Sequence, residues 1–213
     1  MLELLRDRNF RLLWLGQLCS QFGDRLTQLV LVGLVATRAA GSPLSLAKVL
    51  VFTSLPALVI NPLAGVYVDR WDRKRTMILC DLIRMAVILT LPWAVEPSSQ
   101  IPFYLAVFLI FGVGSFFVPA RLAFIPDLVP ADQLAKANAL FTSSGMIGST
   151  AILLIGALLV EWIGPARSCW VNAASYATSA ALILQIRGHS LGRGPEASPR
   201  RIFLGVWEGI REL

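Results

Sequence analysis

Six long apolar runs follow one another along this chain of 213 residues, and short polar or turn-forming segments separate them. A run of about 20 apolar residues, rising about 1.5 Å per residue, is long enough to cross a hydrocarbon core of about 30 Å. Because a backbone in lipid must satisfy its own hydrogen bonds, each run predicts a transmembrane α-helix. The pattern therefore predicts an all-α membrane protein. Its predicted spans are residues 12–36, 46–68, 76–95, 101–120, 138–160 and 165–186.

Two segments outside these spans are long enough to have structure of their own. Residues 121–137, RLAFIPDLVPADQLAKA, are amphipathic and contain Pro126 and Pro130, which predicts an interrupted helix on the membrane surface. Residues 187–213 begin polar and end in the basic, amphipathic sequence PRRIFLGVWEGIREL. We therefore predict a six-helix transmembrane bundle over residues 1–186. The rest, residues 187–213, is predicted as a cytoplasmic linker with the start of an amphipathic connecting helix.

The composition agrees with membrane insertion, because 56% of residues are hydrophobic, 15% are charged and the mean hydropathy is +0.68. Most Lys and Arg residues lie at the two termini and after the second and fourth spans. Loops rich in these residues stay in the cytoplasm, so both ends of the chain are predicted to be cytoplasmic. The net charge of +6 fits basic loops facing anionic lipid, and we predict no nucleic-acid partner.

Residues typical of catalytic or metal sites are sparse in the sequence. The three cysteines lie in or beside the spans without a CxxC pair, and the single histidine, His189, lies in the polar tail. The sequence contains no pattern of a hydrolytic triad, a phosphate-binding loop or a zinc site. We therefore predict that the chain is not an enzyme and that it uses no metal or other cofactor.

The segment GVYVDRWDRKR, residues 65–75, places six charges between the second and third spans. The basic residues alone would serve as a topology signal. Its pattern G-x-x-x-D-R-x-x-R-K, however, resembles the signature between spans two and three of the major facilitator superfamily of transporters. That pattern is formed here by Gly65, Asp69, Arg70, Arg73 and Lys74.

In that superfamily the glycine permits close packing, the aspartate approaches a helix N-terminus in the other half, and the basic residues pair with nearby acids. An anion at a helix N-terminus is typically stabilised by about 0.3–1 kcal/mol. The resemblance therefore implies a gating turn. We expect Asp69, with Arg73 and with Asp127 beyond the fourth span, to latch the cytoplasmic side.

The resemblance covers nearly the whole chain and narrows to an efflux branch that includes bacterial macrolide exporters and the enterobactin exporter. Stretches that carry it include RNFRLLWLGQLCSQFGDRL at the start, VPARLAFIPDLVPADQLAKANAL at residues 118–140 and the closing WEGIREL. Two departures are Asp72, where many members have Gly, and the absence of a Gly-Pro kink in the fifth span. The resemblance implies the N-terminal, three-plus-three half of a twelve-helix fold in the bacterial cytoplasmic (inner) membrane.

The function that the resemblance implies is export of amphipathic small molecules, of drug or siderophore type, by proton-coupled alternating access. The implied partners are the substrate, protons, membrane lipid and a second six-helix half. That second half can come from the same gene, from a split partner or from a second copy of the chain. The alternative function is a non-transporting, regulatory half that assembles with a full-length transporter or a partner half.

Polar side chains within spans are costly in lipid and face a cavity or another helix. Arg25 follows Asp24 at about 100° around the helix, which is a poor angle for pairing, and Asn61 lies in the second span. We predict that these three residues line a hydrated proton and substrate pathway; the alternative for Asp24 is a fixed ion pair. The pathway also includes first-span residues that share one face with Asp24 at i, i+4, i+7 and i+11 spacing: Gln17, Gln21 and Gln28.

The third span contains Asp81 and Arg84, which stand at i and i+3 on one helix face. Charges in lipid require partners, so we predict an intramembrane ion pair with a structural role. The state of Asp24 depends on its own neighbours. A dry environment favours its protonated form, whereas a cation such as Arg25 or Arg84 keeps it ionised.

Overall fold

The computed structural model describes residues 4–38, 43–68, 70–94 and 100–187. Within these ranges the chain is helical, with short connections and no β-strand. Each predicted span falls on one helix, which confirms the all-α, six-helix fold. The helices are α1 (Arg8–Arg38), α2 (Pro43–Val68), α3 (Arg73–Ala94), α4 (Ile101–Leu128), α5 (Leu134–Ile163) and α6 (Pro165–Leu184), with short 3-10 helices at Leu4–Arg6 and Ala131–Gln133.

Apolar surface covers much of the bundle. Within α1 and α6, by contrast, polar residues such as Ser20 and Asn172 are buried between helices. The flanking helices α2 and α5 expose large apolar side chains, including Leu58 at 80% and Ile147 at 74%. Exposed apolar surface on this scale is typical of contact with lipid or another subunit. In the part of the chain that the structure describes, four segments are long and apolar enough to cross a membrane by length and composition: Pro43–Gly65, Arg73–Ala94, Ile101–Leu128 and Ala131–Ile163.

The predicted surface helix over residues 121–137 is wrong. Its first part extends α4 and its last part belongs to α5. Pro126 lies inside α4, whereas the chain leaves the helix at Val129, whose backbone is extended (φ −128°, ψ 136°). A following proline, here Pro130, favours that conformation and ends the helix. The predicted linker and connecting helix lie, beyond Arg187, outside the described residues.

Local sequence sets where the helices begin. Asp7 Oδ1 accepts a hydrogen bond from a backbone N–H of the first turn of α1 at 2.8 Å. Asp72 Oδ1 likewise accepts one from the N–H of Arg75 at 2.9 Å, so the residue that replaces glycine in this turn caps α3. Only Gly164 separates α5 from α6, and its φ of 81° favours glycine. Pro165 then begins α6, where its missing N–H costs nothing.

The helices pack in a pattern with an approximate twofold exchange. Helix α1 packs on α5 and α6 in the way that α4 packs on α2 and α3, and α3 also packs on α6. Exchanging α1, α2 and α3 with α4, α5 and α6 in order maps the contacts of α1 onto those of α4, and the α3–α6 contact onto itself. This is the three-plus-three arrangement. At the close contact of α1 with α6, a Cβ on Gly23 would lie 2.7 Å from both Ser175 Oγ and Tyr176 Cε1, so glycine is required there.

Two apolar clusters fill the interior, one toward each end of the bundle. One contains Leu34 and Leu91, and the other contains Phe10 and Phe124. Between the clusters, α1, α3 and α6 carry polar residues at successive turns. These residues form a polar layer across the middle of the bundle: Ser20, Asp24, Thr27, Asp81, Arg84, Asn172, Tyr176 and Ser179.

Candidate functional site

A cavity of about 580 Å³ lies beside this polar layer. Helices α2, α4 and α5 add small and apolar surface to it, such as Ala57, Ile110 and Gly145. Its volume lies within the range of about 300–1,000 Å³ that is usual for small-molecule sites. A wall of this mixed character suits an amphipathic molecule. All six residues predicted for the pathway line the cavity: Gln17, Gln21, Asp24, Arg25, Gln28 and Asn61.

Asp24 connects the cavity to the buried polar layer. Its Oδ1 lies 2.6 Å from Arg84 Nη1 and accepts a hydrogen bond from the Tyr176 hydroxyl at 3.0 Å. The Asp24 side chain is 46% exposed, whereas that of Arg84 is 1% exposed. The carboxylate therefore has the cavity on one side and a buried guanidinium on the other.

Arg84 also contacts Asp81, which stands one turn earlier in α3 and has no exposed surface. Ser20 bridges the pair, because its hydroxyl accepts a hydrogen bond from Arg84 Nη2 at 2.9 Å and donates one to Asp81 Oδ1 at 3.1 Å. The guanidinium carbon lies 4.6 Å from the centre of the Tyr176 ring. The structure thus joins one guanidinium to two carboxylates, and of these three groups only Asp24 is exposed.

Besides Ser20, three residues of this network were not among the predicted site residues: Thr27, Asn172 and Tyr176. Asn172 Nδ2 donates a hydrogen bond to Thr27 Oγ1 at 2.7 Å, and that oxygen lies 3.2 Å from the Tyr176 hydroxyl. All three residues are fully buried. Single Thr and Tyr residues also fit ordinary helix packing, so their sequence positions carry no signal. The i, i+4 spacing of Asn172 and Tyr176 on α6 is the one feature that could have marked them.

The charged turn after α2 lies at one end of the bundle and joins two helices to it. Arg73 Nη1 lies 2.7 Å from Asp127 Oδ2 in the last turn of α4. Lys74 Nζ donates a hydrogen bond at 2.7 Å to the carbonyl of Ile186, just beyond α6. The turn therefore ties the start of α3 to the ends of α4 and α6.

The three remaining residues predicted for the turn are Gly65, Asp69 and Arg70, and the structure describes two of them. Arg70 is exposed, and its backbone N–H donates to the Tyr67 carbonyl at 3.1 Å. Asp69 lies outside the described residues. A Cβ placed on Gly65 would meet no described atom within 4 Å. The close packing that the resemblance implies at Gly65 is therefore not made by the described part of the chain.

The side chains that line the cavity provide charges and hydrogen-bonding groups. Within the ranges given above, no group of three or more His, Cys, Asp or Glu side chains is placed to hold a metal ion. Cys19, Cys80 and Cys169 form no disulfide. The cavity instead presents a carboxylate and a guanidinium, at Asp24 and Arg25, together with neutral amides and hydroxyls.

Comparison with known proteins places this arrangement among membrane transporters. The sequence model of the Major Facilitator Superfamily matches residues 13–211 of this chain. The uncharacterized MFS-type transporter YkuC of Bacillus subtilis is 25% identical over 92% of this chain and 46% of the relative. The putative bacilysin exporter BacE of Bacillus subtilis is 29% identical over 78% of this chain and 41% of the relative. Macrolide efflux protein A of Streptococcus pyogenes is 34% identical over 60% of this chain and 32% of the relative.

A solved structure shares the fold at low sequence identity. The crystal structure of the POT family transporter PepTSo superposes with a TM-score of 0.75 at 18% identity, over 94% of this chain and 41% of that chain. The chain thus spans less than half the length of the curated relatives it matches. Six helices over that length correspond to one half of the transporter fold.

Proposed function

This chain belongs to the major facilitator superfamily, and from that premise we propose that it is one six-helix half of a secondary transporter that exports amphipathic small molecules. The observation that carries the proposal is the cavity with the half-exposed Asp24 carboxylate, which is linked to buried charges. Transporters of this fold form substrate sites near the membrane midplane, between their repeats, and alternate access around them.

The substrate class is proposed from the cavity wall and the relatives together. Amides at Gln17, Gln21 and Gln28 line one side, and apolar groups at Ile110 and Phe111 line another. A molecule with an apolar body and a few polar groups fits both. Relatives described as a macrolide efflux protein and a putative bacilysin exporter support export as the direction of transport.

The charges around Arg84 support the proposal that transport is coupled to protons. One guanidinium faces two carboxylates, so it can stay paired with the enclosed Asp81 when Asp24 takes up a proton. Protonation of Asp24 therefore leaves no buried charge without a partner, which removes the main penalty of moving a proton through the bundle. When Asp24 is ionised but no longer in contact with Arg84, its carboxylate is available to a substrate cation.

The gating turn has a separate role in this proposal. The Arg73–Asp127 contact ties α3 to α4 at the end that we assign to the cytoplasm. With Asp69, it forms a latch that holds that end closed while the cavity faces outward. Opening the latch exchanges one packed arrangement for another, which is how rigid bundles change access.

The setting is the bacterial cytoplasmic membrane, with both ends of the chain in the cytoplasm and the basic turns facing anionic lipid. A second six-helix half completes the cavity. It is supplied by the same gene, by a split partner or by a second copy. Sequencing downstream of codon 213 identifies the source, because six further spans in frame or in a neighbouring gene would encode it.

The test substitutes Asp24→Asn in the complete transporter and follows uptake of radiolabelled tetraphenylphosphonium into inverted vesicles with an acidic interior. We expect normal expression and weaker but measurable substrate binding through the rest of the cavity, with loss of pH-driven uptake. Asp132→Asn makes the same chemical change at an exposed carboxylate outside the cavity and serves as the control. Unchanged pH-driven uptake by the Asp24 variant would refute the coupling role. Absence of uptake in the unmodified protein would favour the non-transporting, regulatory alternative.

A further inference from the structure

A second, smaller pocket of about 250 Å³ adjoins the main cavity, with which it shares Gln21, Arg25, Gly145 and Ser149. It lies between α1, α4 and α5, and its lining includes Arg121 of α4. Two guanidinium groups, those of Arg25 and Arg121, therefore face one small space. Among the described residues that line this pocket there is no carboxylate.

The contacts that these two guanidinium groups make with the protein are to neutral groups. Arg25 Nη1 donates to the neutral amide of Gln28 at 3.3 Å, and the Arg121 guanidinium lies 4.9 Å from the centre of the Phe141 ring. No described residue accepts a hydrogen bond from the buried Arg121 Nε. Cations within a membrane bundle are costly unless an anion pairs with them. The pocket thus contains positive charge and unfilled hydrogen-bonding capacity at one place.

We propose that this pocket is an anion subsite of the transporter, and that the preferred substrate is an amphiphile carrying both a cationic and an anionic group. The carboxylate or phosphate of the substrate binds between Arg25 and Arg121, whose planar N–H groups match those anions. The apolar body occupies the main cavity, and the cationic group approaches Asp24. The proposal rests on the proposed function, because it assigns the substrate class of the same cavity.

The positions of the charges within the cavity support this placement of the two charged groups of the substrate. Asp24 and Arg25 line the same cavity but form no ion pair with each other, since Asp24 is bound to Arg84 and Tyr176. A volume of about 250 Å³ accommodates a carboxylate or phosphate group but not a large apolar body. A substrate that carries both charges can therefore satisfy both ends of the site at once.

The test uses two dyes that differ only in the anionic group: tetramethylrhodamine, with a free carboxylate, and its methyl ester. Binding is measured by fluorescence anisotropy with the complete transporter in phosphatidylcholine nanodiscs. We expect Arg25→Gln and Arg121→Gln each to weaken binding of the free acid about tenfold, the loss of one charge-assisted contact, and to leave the ester within twofold. Arg121→Lys retains most of the affinity, and Lys136→Gln, at an exposed site on α5, changes neither dye.

Three results would overturn the proposal. One is an equal loss for both dyes, which would make the arginines structural. Another is weaker binding of the acid than of the ester in the unmodified protein, which would indicate that an acidic side chain of the second half already fills the pocket. The third concerns the lipid. If the unmodified protein binds the acid dye more weakly in anionic phosphatidylglycerol discs than in phosphatidylcholine discs, and Arg121→Gln removes this difference, the pocket binds a lipid phosphate.

This binding experiment is separable from the test of transport. If vesicles show no uptake but the acid dye still depends on both arginines, the proposed function fails and the anion subsite stands. If uptake depends on Asp24 but neither arginine affects the acid dye, transport stands and the subsite fails. Folding of each variant is checked by its thermal unfolding. If Arg121→Gln fails to fold, Arg25→Gln decides the result.

Discussion

Removing the positive charge at Arg84 gives the sharpest prediction for stability. Arg84→Met keeps most of the side-chain volume but leaves Asp81, with no exposed surface, without its cation. Breaking a buried pair in this way costs about 3–5 kcal/mol. Asp24 adds little to this loss, because its side chain is 46% exposed and the cavity can hydrate it. We therefore expect Arg84→Met to lower the free energy of unfolding by about 3–5 kcal/mol.

The two carboxylates make the effect asymmetric. Asp81→Asn alone leaves Arg84 paired with Asp24 at 2.6 Å, so we expect a smaller loss than for Arg84→Met. The double variant, Asp81→Asn with Arg84→Met, removes both buried charges and should recover at least about 2 kcal/mol relative to Arg84→Met, because the two effects are coupled.

The assay is unfolding of each variant in one detergent, followed by tryptophan fluorescence during denaturant titration and heating. A shift of the melting temperature on the order of 10 °C is expected for Arg84→Met. The reasoning is refuted if Arg84→Met loses less than about 1 kcal/mol. It is also refuted if Asp81→Asn gives no recovery in the double variant.

Three further predictions concern packing, the gating turn and topology. Gly23→Ala forces α1 away from α6 and is expected to cost about 1–3 kcal/mol in thermal unfolding, whereas Gly148→Ala, with no neighbour closer than 3.8 Å, should be neutral. Asp127→Asn removes the negative charge from the 2.7 Å contact between α3 and α4 at a partly exposed site. Stability should fall by less than about 1 kcal/mol while vesicle transport slows, and unchanged transport would contradict the latch. A cysteine at Ser98 should react with an impermeant thiol reagent from outside the cell and one at Ser198 should not; external labelling at Ser198 would overturn the orientation.

Helical periodicity predicted the cavity wall well, because spacing along one helix determines which side chains share a face. Gln17, Gln21, Asp24 and Gln28 were placed on one face by spacing alone, and all four line the cavity. Spacing also indicated that Asp81 and Arg84 are neighbours. It cannot give the distance from Arg84 to Asp24, 60 residues away, which depends on how α1 and α3 pack.

The sequence did not predict the full length of α4 or the buried hydrogen bonds between α1 and α6, for other physical reasons. Pro126 suggested a helix break, but a proline removes only one backbone donor, and α4 continues through it to Leu128. The hydrogen bonds among Thr27, Asn172 and Tyr176 join helices that are far apart in sequence. Residues of these types also occur as ordinary packing in membrane helices, so only their positions in three dimensions identify them.

The most direct test of proton-coupled export through Asp24 is the proton flux itself. The complete transporter is reconstituted in liposomes that contain a pH-sensitive dye and have an acidic interior, and tetraphenylphosphonium is added outside. We predict that the interior becomes more alkaline as substrate enters through the unmodified protein, and that Asp24→Asn abolishes this change. Substrate entry without any change of interior pH, or an equal pH change with Asp24→Asn, would contradict it.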